Sequence, residues 1–118
     1  MKIQIKRIYD PPGDDDGLRI LVDRLWPRSV KKEEASVDLW AKELAPTTEL
    51  RKWFDHDASK FGEFRSRYLK ELDDKGDVVR KLFEEANGRT LILLFAARDR
   101  SCNHALVLLD YLNGKRQA

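Results

Sequence analysis

Isoleucines alternate with polar residues across Lys2-Ile3-Gln4-Ile5-Lys6-Arg7-Ile8, the period of two that a half-buried strand requires. Lysine and glutamine on the outer face predict an edge position. The segment 10–17 (Asp-Pro-Pro-Gly-Asp-Asp-Asp-Gly) ends it, because proline cannot donate to a sheet ladder and glycine and aspartate favour turns. A connection this short permits a hairpin or a tight crossover but holds no helix, so the orientation of the first strand stays open. Within 18–25, Ile20-Leu21-Val22 predicts an apolar strand core with Asp23, Arg24 and Trp26 at its carboxyl end. Pro27 removes a backbone donor and holds Trp26 extended, which fixes the strand's exit.

Residues 29–34 read as a short helical turn. Residues 37–44 fit two periods: Val37, Leu39 and Ala41 alternate as in a strand, while Trp40 to Leu44 also fits a helix; the strand is preferred. Pro46, then Thr47 or Thr48 as N-cap, opens a short helix through Phe54. Phe61, Phe64, Tyr68 and Leu72 recur every three or four residues and predict a helix from about Ser59 to Lys75, ended by Gly76. Val78, Val79, Leu82, Phe83 and Ala86 mark another, closed by Asn87-Gly88. Thr90 to Ala96 is apolar without alternation, as expected of a central strand covered on both faces. Ala105 to Leu112 is almost wholly apolar. Ser101 or Asn103 as N-cap, with Asn113-Gly114 as a stop, makes it a buried helix. A buried strand between two helices implies a crossover and parallel pairing. The pattern predicts a small three-layer α/β domain, 1–118 as one unit. Its central, mostly parallel sheet has three or four strands, with helices on both faces.

Composition narrows the function classes. In 118 residues, 42% hydrophobic suffices for a core, and 37% charged, against about 25% in average proteins, predicts a crowded surface of mixed sign. A net charge of +2 with interleaved signs gives no basic stripe of the kind that phosphate-neutralising proteins display, so nucleic acid is not the expected partner. One cysteine, Cys102, excludes an intramolecular disulfide. With only His56 and His104 beside it, too few ligands remain for a His/Cys metal cage, and no cofactor is implied. No apolar run reaches the ~18 residues of a membrane span, and Met1-Lys2-Ile3-Gln4 opens nothing like a signal peptide, so a soluble, cytoplasmic protein is expected.

In open α/β sheets, ligands collect beyond the carboxyl ends of the strands. Two polar stretches fall there, 23–28 (Asp-Arg-Leu-Trp-Pro-Arg) and 98–104 (Arg-Asp-Arg-Ser-Cys-Asn-His). If their strands are neighbours, both stretches border one cleft. Its expected occupant is an anionic small molecule bearing phosphate or carboxylate, held by a small enzyme or binding protein. Arg24, Arg28 and Arg98 would grip the anion in forked geometry, beside Asp23 and Trp26. Asn103 and the helix N–H groups would complete its shell. Asp99 would orient His104, which would act as general base or hydrogen-bond donor. Near a helix start the macrodipole favours the neutral imidazole.

Structural uses compete for the same residues: an ion pair of Asp23 with Arg24 and Arg28, a core plug at Trp26, a helix cap at Asp99. His56, between Asp55 and Asp57, reads as a surface loop residue. Cys102 and His104 are too close in sequence to face each other on a helix. Glycine-rich phosphate loops, dinucleotide fingerprints, HExxH and Gly-x-Ser-x-Gly do not occur. A second reading is a non-catalytic protein- or RNA-binding module with Trp26, Trp40 or Trp53 as anchors among arginines. It expects at least one tryptophan exposed within a basic patch.

Three ordered segments carry a family resemblance: 21–28 (Leu-Val-Asp-Arg-Leu-Trp-Pro-Arg), 45–54 (Ala-Pro-Thr-Thr-Glu-Leu-Arg-Lys-Trp-Phe) and Ala96-Ala97-Arg98-Asp99 with Asn103-His104-Ala105. Together they resemble the YeaO-like branch of the domain of unknown function 488 family, over nearly the whole chain. The resemblance implies a small bacterial or archaeal α/β protein and no established activity. The broader family resembles Leu-Leu-Cys-x-Glu-x-Asp-Pro-x-x-Cys-His-Arg at the last strand and helix. Laid on Leu93 to Ala105, its cysteines fall on Phe95 and Asn103, its glutamate on Ala97 and its arginine on Ala105, while Asp99 and His104 are kept. Cys102 stands one position before the expected thiol, which removes the support for cysteine-based chemistry. Ser29 replaces the glycine usual after Trp-Pro-Arg.

Overall fold

A computed structural model describes residues 2–10 and 17–116. Four strands form one parallel sheet in the order β1-β4-β2-β3, where β1 is Ile3–Arg7, β2 is Leu18–Leu21, β3 is Leu39–Trp40 and β4 is Leu91–Phe95. β4 is central, pairing from Ile3↔Leu91 to Arg7↔Phe95 on one side and from Leu18↔Leu91 to Leu21↔Leu94 on the other. All five of its residues are buried, which is why its sequence shows no alternation. β1 takes the expected edge. Its parallel pairing settles its orientation: β1 and β2 both run parallel to β4, one on each side of it, so the two do not form a hairpin. The expected turn at 11–16 lies outside the described residues. At its exit, a Cβ on Gly17 would meet the Thr90 carbonyl oxygen at 2.8 Å, so this close approach to the sheet requires glycine.

The sheet separates two cores. On one face Ile20, Val22, Leu91, Leu93 and Phe95 pack against α2 (Thr48–Phe54), α3 (Phe61–Asp73), α4 (Gly76–Ala86) and α5 (His104–Arg116). On the other, Leu21, Ile92 and Leu94 pack against Ala35 of α1 (Lys32–Ala35), with Trp26 and Trp40 closing over them. Helices therefore cover both faces unequally, one face taking four and the other a single turn. Arg19, buried in β2, fastens that turn by donating from Nε to the Ser36 carbonyl and from Nη2 to the Ala35 carbonyl.

Local signals explain most boundaries. Thr47 caps α2 by accepting from the Leu50 N–H at 3.2 Å, and Glu71 of α3 accepts in turn from the Thr47 N–H and hydroxyl. Residues 37–44 split between the two readings: β3 is followed by a 3-10 turn at Lys42–Leu44. Two expected stops are corrected. Gly76 is the first residue of α4, and α5 runs through Asn113 and Gly114 to Arg116. A helix commonly ends on a left-handed residue, as α4 does at Asn87 (φ 48°), and neither Gly76 nor Gly114 has a positive φ. Among the described residues no helix is long and apolar enough to cross a membrane.

Candidate functional site

Because β2 and β4 are neighbours, the segments leaving their carboxyl ends emerge side by side, and hydrogen bonds hold them there. Asp23 Oδ2 accepts from the Ala96 N–H at 3.1 Å, and the Trp40 indole donates to the Asp23 carbonyl at 2.7 Å. From β1, Arg7 donates to the Ala97 carbonyl from Nε (3.0 Å) and to the Ala96 carbonyl from Nη2 (3.2 Å). Arg100 forks onto both carboxylate oxygens of Asp10, a bond that holds the Asp10 carboxyl below the usual carboxylate range. A cavity of about 660 Å³ opens between these segments and α2.

Asp23, Arg24, Trp26, Arg28, Arg98, Asp99, Asn103 and His104 all line that cavity, so the two polar stretches do converge. Their individual tasks differ from expectation. Arg24 is a brace, donating from Nε to the Pro46 carbonyl (3.0 Å) and from Nη2 to the Ala45 carbonyl (3.2 Å). Asn103 is 2% exposed and fully engaged: Oδ1 caps α5 at the Leu106 N–H and Nδ2 donates to the Asp99 carbonyl. Trp26 closes the second core, donating to the Val30 carbonyl at 2.7 Å and meeting Trp40 edge-on at 5.5 Å. Asp99 does not orient the imidazole. Its Oδ1 accepts from the N–H groups of Ser101 and Cys102, which folds the turn before α5.

The carboxylate beside His104 is Asp23. His104 opens α5, and its Nε2 lies 3.1 Å from the Val22 carbonyl oxygen and 3.0 Å from Asp23 Oδ1. Both neighbours are acceptors, so Nε2 carries the hydrogen. The N–H is aimed at Val22, leaving the buried Oδ1 of Asp23 in electrostatic contact without a hydrogen bond of its own. Below, the His104 ring meets Tyr68 edge-on at 6.4 Å. Burial pushes the Tyr68 phenol well above its usual value, and its hydroxyl donates to the Leu44 carbonyl.

Arg28 and Arg98 are both exposed on the cavity wall, and neither guanidinium has a hydrogen-bond or ion-pair partner among the described residues. Sequence reasoning missed two neighbours. Arg51 of α2 lines the same wall, exposed and likewise unpaired. His56 reaches it because Asp55 and His56 are both left-handed (φ 48° and 56°), so the chain leaves α2 along the cavity with the imidazole 6.5 Å from the Phe54 ring. The only sequence hint was polar Asp55-His56-Asp57 after a short helix. Cys102 is half-buried on the wall, and among the described residues no hydrogen bond joins its sulfur to His104. No group of three or more metal-ligating side chains occurs among the described residues.

A family profile described as "Inactive DUF488-N3 subclade" matches residues 2–118. The chain belongs to that family. It is 47% identical over 112 residues to the uncharacterized protein YeaO of Escherichia coli (strain K12), covering 95% of this chain and 97% of that one. The uncharacterized proteins Mb3100c of Mycobacterium bovis and Rv3073c of Mycobacterium tuberculosis are each 39% identical over 117 residues, covering 97% of this chain and 96% of theirs. No solved structure matches it. The family is thus the one that the three sequence motifs resemble. At the two positions where the wider family resembles cysteine, this chain has structural residues: Phe95 lies in the core and Asn103 caps α5.

Proposed function

We propose that this protein binds an anionic small molecule, bearing phosphate or carboxylate, in the cavity at the carboxyl ends of β2 and β4, and performs no covalent chemistry on it through cysteine. One contrast carries the reading. Arg7, Arg19 and Arg24 each fasten the fold by donating to two main-chain carbonyls, whereas Arg28, Arg51 and Arg98 reach the cavity with every guanidinium donor uncommitted among the described residues. Unpaired guanidiniums from three separate elements around one recess make a forked, always-charged grip suited to an oxyanion. The carboxylates nearby do not neutralise them, since Asp23 faces Ala96 and His104 and Asp99 is folded into its own turn. Cys102 has no imidazole partner to activate it, in keeping with the subclade's description as inactive.

Calorimetric titration against a panel of organic phosphates and carboxylates tests the reading. At least one should bind, and an Arg28→Gln, Arg98→Gln double variant should lose tenfold or more in affinity. Equal binding by wild type and double variant across the panel overturns it.

Trp53 favours the second reading, a protein- or RNA-binding surface: its half-buried ring has the Arg67 guanidinium 4.3 Å and the Lys60 ammonium 5.2 Å from its centroid. Trp26 and Trp40 do not serve it, because both indole N–H groups donate to internal carbonyls. RNA binding would weaken steeply as salt rises, and a flat salt response removes that version.

A further inference from the structure

We infer that the occupant of the cavity is an amphipathic anion, with a ring-sized apolar body carrying phosphate or carboxylate at one end, rather than a small inorganic ion. This rests on the anion-binding reading above and specifies the chemical class. The wall carries both charge and apolar surface. The unpaired guanidiniums of Arg28, Arg51 and Arg98 share it with exposed Leu25 and with the half-buried Trp26, Ala96 and Ala97. An anion alone would satisfy the guanidiniums and leave this apolar surface against water. The volume of about 660 Å³ lies within the ~300–1,000 Å³ of sites that enclose organic ligands.

Leu25 supplies the second observation. It is 61% exposed, one of two large hydrophobic residues so exposed among those described, and it lines the same cavity. Its two neighbours are tied down, Arg24 to the Ala45 and Pro46 carbonyls and Trp26 to the Val30 carbonyl, while its own side chain stands in solvent. A leucine exposed to solvent on the same wall as unpaired cations fits a ligand whose body it covers once the charged end is seated. The anionic end sits at the guanidiniums and the ring lies against Leu25 and Trp26.

Titration of the full chain with phenyl phosphate, benzoate, inorganic phosphate and acetate tests the inference. Phenyl phosphate or benzoate should bind at least tenfold more tightly than its inorganic or aliphatic counterpart, and the tighter of the two aromatic ligands identifies the head group. Leu25→Ser, at an exposed position that leaves the fold intact, should cut that advantage threefold or more without changing the affinity for inorganic phosphate. Equal affinity for phenyl phosphate and inorganic phosphate, and for benzoate and acetate, with no effect of Leu25→Ser, overturns this inference and leaves the anion site standing. Absence of binding by all four probes, together with a blank wider panel, overturns the anion site itself.

Discussion

Nε2 of His104 lies 3.0 Å from Oδ1 of Asp23, and the other carboxylate oxygen of Asp23 accepts from the Ala96 N–H at 3.1 Å. One side chain from the end of β2 therefore meets both the exit of β4 and the first residue of α5. Asp23 and His104 side chains are 16% and 15% exposed, so water does little to relieve either partner if the other is removed. This contact sets the wall from which Arg28 and Arg98 project.

Two acceptors facing one ring nitrogen fix the His104 tautomer with its hydrogen on Nε2. Nitrogen-15 spectra of the neutral ring should show Nε2 protonated and Nδ1 bare. Asp23→Ala leaves the Ala96 N–H without its acceptor and should cost about 1–3 kcal/mol in urea denaturation. The opposite tautomer, or a stability change within about 0.5 kcal/mol, would contradict this arrangement.

The arginines should separate into two groups. Arg24→Met removes two charged hydrogen bonds to carbonyls and should destabilise by about 1.5–3 kcal/mol. Arg28→Gln should change stability by less than about 0.5 kcal/mol while weakening anion binding. Equal destabilisation by the two would erase the distinction between brace and ligand grip.

Asn103 is a cap, and its loss should be felt in α5. Asn103→Ala should cost about 1 kcal/mol, with Asn103→Ser recovering part of it through a hydroxyl acceptor. Hydrogen exchange should quicken first at the amides opening α5, beginning with Leu106.

The Asp10–Arg100 fork gives a pH signature. The folded carboxyl of Asp10 is held below its unfolded value, chiefly by hydrogen bonding to Arg100. Its contribution is therefore present above about pH 4, the unfolded value, and is lost as pH falls through the folded one. Both partners are partly exposed, so Asp10→Asn should cost only about 0.2–1 kcal/mol at pH 7. Denaturation curves of variant and wild type should converge at acid pH, once the folded Asp10 carboxyl is protonated.

The parallel sheet was legible because β4 is covered on both faces and β1 on one, and the two coverings leave different hydrophobic periods. Convergence of 23–28 with 98–104 was legible only on the condition that their strands are neighbours, and the pairing of β2 with β4 meets that condition. The roles within the cluster were not legible. Arg24 and Arg7 find main-chain carbonyls, which every residue type supplies, so no sequence pattern marks them as braces. Asp99 and Asp23 carry the same chemistry, and only the meeting of β2 with α5 decides which stands beside His104. His56 depends on consecutive left-handed residues, a backbone path to which Asp55 and His56 are tolerant but not committed.

The central claim is that Arg28, Arg51 and Arg98 hold a ligand while Arg24 holds the fold. Arginine Nε–Hε correlations recorded during titration with phenyl phosphate test it most directly. Saturable shifts at Arg28, Arg51 and Arg98, with Arg24 unmoved, are the expected result. Unchanged spectra at those three positions, or a shift confined to Arg24, would contradict the account.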